Sequence, residues 1–171
     1  MNLVFCIEST ARMKPYSTEI AEFTTRVANL VLENLKRDIL SAESDIRIFL
    51  LPFRNCKCDG ERSLELLGPF HSSEEESEFQ QALQGIEYIG GGRHVDPRCS
   101  GLEAIWYAMR ILWYYRCEDS QERHLVRDGI IVLANSRTNP LGNNMEGSCL
   151  ENTPVTFDEL TKEWNSKIDS D

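Results

Sequence analysis

Three apolar runs limit what this chain can fold into: residues 3–7 (Leu-Val-Phe-Cys-Ile), the centre of residues 46–53 (Ile48, Phe49, Leu50 and Leu51) and the centre of residues 127–135 (Ile130, Ile131, Val132 and Leu133). A strand that is apolar at every position is covered on both faces, as in a parallel sheet; a half-exposed strand would alternate instead. The cover is written between the runs. Across residues 17–40, Ile20, Phe23, Val27, Leu30, Val31 and Leu35 recur at three and four, one stripe of a long amphipathic helix. Residues 55–61, with Asp59-Gly60, carry turn chemistry, and residues 64–67 form a short third strand closed by Gly68-Pro69. The short connection predicts a hairpin, so this third strand is an antiparallel edge.

Residues 72–76 (Ser-Ser-Glu-Glu-Glu) carry a capping-box signature for a helix to about residue 86, with Phe79 and Leu83 on its inner face. Gly90-Gly91-Gly92 is a loop, and Ser100 with Glu103 is a second capping box. It opens a helix through Leu102, Ile105, Trp106, Met109 and Trp113, and a last helix covers residues 157–164. Trp106 and Trp113, seven apart, share a face with Met109 and are expected on the sheet; Tyr107 and Tyr114 form a neighbouring stripe. The order strand, helix, hairpin, helix, glycine loop, helix, strand predicts an α/β fold: a Rossmann-like, doubly wound sandwich whose sheet is mostly parallel with one short antiparallel edge strand. One domain is expected over residues 1–171, with an acidic, polar tail from about residue 166.

Charge narrows the partners. Lys and Arg total 18 against 28 Asp and Glu, a formal net charge of −10, and no run of five or more basic residues occurs. A phosphate backbone needs a basic surface, so nucleic acid is excluded as the expected partner. The longest apolar stretches fall well short of the roughly 18–20 residues of a membrane span. Met1 to Phe5 runs straight into strand pattern rather than into a secretory signal. Cys6, Cys56, Cys58, Cys99, Cys117 and Cys149 are therefore expected as free thiols, and the expected location is cytoplasmic.

In doubly wound sheets ligands bind beyond the carboxyl ends of the strands, here residues 8–13, the triglycine loop and residues 134–139. Several chemistries can be weighed there. Cys56 and Cys58 could offer thiolates to zinc with His71, His94 or Cys99, but a lone Cys-x-Cys lacks the second ligand pair of zinc sites. The glycines could form an anion nest, yet neither nucleotide-binding glycine pattern is present. Ser9, Ser136 or a cysteine could act as nucleophile with His71, His94 or His124, with nothing in the spacing to assemble a triad. No enzyme is expected.

The segment Val4-Phe5-Cys6-Ile7-Glu8-Ser9-Thr10-Ala11-Arg12-Met13 resembles the first strand and loop of von Willebrand factor A domains, where an aspartate opens a D-x-S-x-S motif. The triglycine loop ahead of Gly101-Leu102-Glu103-Ala104, the strand ending Val132-Leu133-Ala134-Asn135, Pro140-Leu141-Gly142 and Phe157-Asp158-Glu159-Leu160 extend the likeness. It is nearest to bacterial intracellular members, including those associated with tellurium resistance and stress responses. The resemblance implies a protein-binding domain with a metal-ion-dependent adhesion site, and that site is degenerate here. Glu8 stands for the first aspartate, Thr10 keeps one hydroxyl, Arg12 replaces the other, Arg93 follows the glycines, and Asn135 takes the final aspartate position with Arg137 beyond it.

Guanidinium groups and a lost carboxylate oppose a hard cation. The expectation is a scaffold or adaptor that binds partner proteins through Glu8, Thr10, Arg12, Arg93, Asn135 and Arg137 with no cofactor. In it Glu8 pairs with the arginines or the arginines receive a partner's acidic side chain. The alternative is Mg²⁺ on Glu8, Thr10 and Asn135; a third reading is an enzyme of another doubly wound family. Family domains continue with further strands after the helix at Phe157, so the last strand is expected as a sheet edge. A shortened domain, a fragment, a homodimer or strand addition by a partner all remain open.

Overall fold

The computed structural model describes residues 1–38, 46–71, 75–91, 98–118, 128–141 and 153–168. Its sheet has four strands in the order β3-β2-β1-β4: β1 (Asn2–Glu8), β2 (Arg47–Phe53), β3 (Leu67–His71) and β4 (Asp128–Leu133). β1 pairs in parallel with β2 on one side and β4 on the other, and β3 is antiparallel to β2. The helices are α1 (Ser17–Asp38), the single turn α2 (Cys56–Asp59), α3 (Glu76–Gly85), α4 (Gly101–Glu118) and α5 (Phe157–Ile168). This is the expected α/β sandwich.

The apolar runs divide by parity. Leu3, Phe5 and Ile7 with Ile48 and Leu50 face Ile20, Ala28, Leu35, Phe79 and Leu83 of α1 and α3. Val4 and Cys6 with Phe49, Leu51 and Phe53 face Ala104, Ala108, Ile111 and Leu112 of α4. Strict alternation on a two-faced strand is why both sets must be apolar. The Cys6 thiol, buried under Ala104, is pushed up to about 12 by desolvation.

Three expectations change. The third strand is not residues 64–67 but Leu67–His71; Leu64 makes only an isolated bridge to Phe53, and Gly68-Pro69 sit inside the strand. An edge strand bonded on one side can accommodate the N–H that proline lacks, so the pair that reads as a terminator does not terminate. Residues 55–61 are not a simple turn: α2 and a 3₁₀ turn (Gly60–Ser63) fill them. Trp113 is exposed, and Trp106 with Met109 is buried in a cluster with Leu141 and with Leu160 of α5, against which Ile130 of β4 also packs. The Trp106 Nε1–H donates to the Glu163 carboxylate at 3.1 Å, so α4 carries a second helical layer on its outer side. Ser72, Ser73 and Glu74 lie outside the described residues, as do Arg93, His94, His124 and Cys149. No helix of the described residues is long and apolar enough to cross a membrane.

Candidate functional site at the carboxyl ends of the strands

Strand order reverses between β1 and β4, the place where doubly wound folds open a ligand crevice. Here a side chain closes it. Glu8, the last residue of β1, is wholly buried. Its Oε1 accepts from Thr10 Oγ1 at 2.7 Å and from the Ser136 hydroxyl. Its Oε2 accepts from the backbone N–H groups of Asn135 at 2.8 Å and Ser136 at 2.9 Å. Each carboxylate oxygen thus receives two hydrogen bonds, and the loops after β1 and β4 are tied together across the crevice. The donors are hydroxyls and peptide N–H groups. Arg12 and Arg137 are exposed at the ends of these neighbouring strands, as is Asn135, which contributes its N–H to the latch.

A second carboxylate fills the other niche. Asp59, closing α2, accepts from Gly91 N at 3.0 Å and from Asn55 N at 3.1 Å. Gly90 and Gly91 have φ of 65° and 81°, in the left-handed region that favours glycine. The anion in that turn is the chain's own Asp59. Room is also short: a Cβ on Gly91 would stand 2.6 Å from Thr10 Cβ. Gly91→Ala is therefore expected to destabilise the protein by about 2–3 kcal/mol, measured by denaturant unfolding, because it adds a clash to an unfavourable φ.

Arg54, directly after β2 and buried, links the same loops through carbonyls. Nε donates to Ser9 O at 3.3 Å, one Nη to Arg62 O, and the other to Glu87 O at 2.8 Å. Ile89 N adds a bond to Ser9 O at 3.1 Å. On the α4 side the Ser100 hydroxyl accepts from Cys56 N at 2.9 Å, so it joins α2 to the start of α4 instead of serving only its own helix. The first turn of α4 is met from outside by Thr138 Oγ1, which accepts from Leu102 N at 3.2 Å. Sequence reasoning passed over Arg54, read Asp59 only as turn chemistry, and placed Ser136 only as a nucleophile. The available signal was a polar triplet after a buried strand, Arg54-Asn55 and then Asp59, at the end where such folds build sites.

This geometry decides what the site can do chemically. Mg²⁺ needs oxygens with lone pairs directed at it, usually including carboxylates. Glu8 has no solvent-facing lone pair to give, and two of its four partners are peptide N–H groups that repel a cation. Glu8, Thr10 and Asn135 do not fit the ion. Among the described residues no three His, Cys, Asp or Glu side chains gather as a metal site.

His71 pairs with Arg47 at the amino end of β2, while Cys56 and Cys58 follow its carboxyl end. Seven strand residues, about 20 Å, separate them. Ser9 Oγ donates to Phe53 O at 3.3 Å and Ser136 Oγ to Glu8, so both candidate nucleophiles serve the backbone and the latch. The Cys99 thiol, buried beside the same latch, is pushed up to about 12, first by desolvation and then by the Glu8 charge.

Both thiols are protonated at neutral pH. Iodoacetamide mapping of the native chain is expected to label exposed Cys58 and spare Cys6 and Cys99 until denaturant is added. The sign of the pH effect follows. From 9.0 up to about 12 the unfolded chain gives up these protons and the folded chain keeps them. Their contribution to stability is complete below pH 9.0 and is lost as pH rises through that window.

No protein-family model matches the chain, and no curated protein matches it.

Proposed function

We propose that the chain is a von Willebrand A-like, non-catalytic module that binds partner proteins on the rim at the carboxyl ends of β1 and β4, without a metal ion. The observation that carries this is the Glu8 latch: the crevice where related folds place a ligand is filled by an internal carboxylate with four protein donors. With Asp59 in the glycine turn, neither niche is left for a cofactor, and what the rim offers outward is surface. Exposed Arg12 and Arg137 give that surface positive groups on a chain of net charge −10. Guanidinium forks match carboxylates, so the partner presents Asp or Glu side chains. The resemblance to intracellular stress-associated members supports a cytoplasmic adaptor role.

Two measurements test this. Metal-stripped protein is heated with Mg²⁺, Mn²⁺, Ca²⁺ or Zn²⁺; a native-state ligand raises stability by RT ln(1 + [L]/Kd), so even weak binding shows at high concentration. The expected result is no shift, and a Mg²⁺ or Mn²⁺ shift that disappears in Glu8→Gln overturns the metal-free reading. An array of acidic peptides is then probed with the chain. Binding is expected to persist in EDTA and to fall at least tenfold in Arg12→Glu/Arg137→Glu; binding that survives the double substitution removes the rim from consideration.

A further inference from the structure

The two edges of the sheet are built differently. β3 is five residues long, carries Pro69 and joins β2 with a register shift between Ile48 and Leu50. Shortness, proline and bulges keep a sheet edge from pairing with another chain. β4 has none of them. Its six residues hold an unbroken register with β1, from Asp128 opposite Asn2 to Leu133 opposite Ile7. No proline and no charged side chain occur from Gly129 to Asn135. Among the described residues β4 is bonded on one side only, to β1.

Its burial is also incomplete. Every residue of β1 is buried, whereas none of β4 is, and Val132 is 39% exposed. Ile130 packs toward α4 and α5, and Ile131 and Leu133 toward α1 and α3, so apolar surface remains on both faces. A strand that covers such an edge must itself be apolar at consecutive positions. β1 and β2 are the other runs of that kind, and both lie buried within the sheet. β4 itself is the exposed segment that fits.

We propose that β4 pairs with β4 of a second copy, antiparallel about a two-fold axis at Ile131, to make one continuous eight-stranded sheet. Directly opposed residues of an antiparallel pair share a face, so an axis normal to the sheet falls on a residue. With the axis at Ile131, Ile130 of each copy lies beside the exposed Val132 of the other. Asp128 then lies opposite Ala134 rather than another carboxylate. One contact closes both open edges and leaves only the two protected β3 edges. An added peptide strand would instead move the open edge outward by one strand. The net charge of −10 on each copy opposes association, but none of it sits between residues 129 and 135. Exposed charges further apart than about 8 Å are largely screened at physiological salt. The interface is separate from the carboxyl-end rim, and its failure leaves the rim reading untouched.

Light scattering of the full chain at high micromolar concentration is expected to give twice the mass of one chain. Hydrogen exchange is expected to show β4 amides whose protection falls on dilution. Val132→Lys replaces an exposed side chain, so the fold persists, as circular dichroism will verify. The added positive charge eases the repulsion between copies, so bulk electrostatics would tighten the dimer. Pairing at β4 instead sets the ammonium against Ile130 of the other copy and weakens the dimer about tenfold or more. Phe157→Lys, at an exposed position of α5, is expected to leave the dimer intact. A monomer at every concentration, a dimer that survives Val132→Lys, or one lost with Phe157→Lys would each overturn the proposal.

Discussion

Glu8→Ala is expected to lower the unfolding free energy by about 4 kcal/mol, read as a fall in denaturant midpoint at constant slope. The substitution strands two peptide N–H groups, of Asn135 and Ser136, and two hydroxyls, of Thr10 and Ser136, all turned toward the buried carboxylate. Each unsatisfied buried donor costs about 1–3 kcal/mol, and the charged acceptor they lose is the stronger kind. Against this stands the relief of a buried carboxylate's desolvation, which keeps the sum below the simple total. In a domain of this size the change corresponds to roughly 10 °C in Tm.

Glu8→Gln separates latch from charge. The amide oxygen can keep the two N–H bonds, and the hydroxyls of Thr10 and Ser136 can rotate to accept from the amide nitrogen, so the loss is expected near about 1 kcal/mol. Equal losses in the two variants would show that the charge, rather than the bonding pattern, holds the loops.

Arg54→Met is the second large effect, expected at about 3 kcal/mol. Methionine can follow the aliphatic stem but donates nothing, and the carbonyls of Ser9, Arg62 and Glu87 lose a charged partner together. These carbonyls belong to three different connections, so the consequence is not confined to one loop. Hydrogen exchange should show faster opening at Ile89, whose N–H is bonded to Ser9 O, while amides in the middle of β1 keep their protection. Uniform acceleration across β1 would mean that Arg54 stabilises the whole fold rather than its upper loops.

Much of the fold was legible along the chain. Residues 3–7 and 48–51 are apolar without alternation, and a period-2 strand can be so only if both faces are covered. The α1 stripe was legible in part, since period 3.6 leaves one face for the core: Ile20, Val27, Val31 and Leu35 pack there, whereas Phe23 and Leu30 are exposed. The third strand was misplaced because Gly68-Pro69 has two meanings, a terminator in isolation and a tolerated pair on a sheet edge; which applies depends on where β2 lies. Trp113 was assigned to the sheet on spacing from Trp106, but Trp106 is buried in a cluster with Leu141 and Leu160 against which Ile130 of β4 packs, while Trp113 is exposed. Periodicity identifies a shared face and is silent on what that face touches.

The site divides along the same line. Glu8, Thr10, Asn135 and Arg137 stood out because the resemblance to von Willebrand factor A domains places its site on them, at the carboxyl ends of parallel strands where such folds bind. What Glu8 does there was not legible. Its four donors come from positions 10, 135 and 136, and a carboxylate open to an ion has the same one-letter symbol as one sealed by peptide N–H groups. Asp59 in the glycine turn and Arg54 among three carbonyls were invisible for the same reason.

Burial pattern and period are local quantities, written residue by residue, so the sequence by itself determined the parallel strands, the long helices and their stacking into an α/β sandwich, but not the position of the edge strand β3. Hydrogen-bond saturation is a property of groups brought together from distant parts of the chain. Only the tertiary structure could decide that the two niches at the head of the sheet are closed by the protein's own carboxylates.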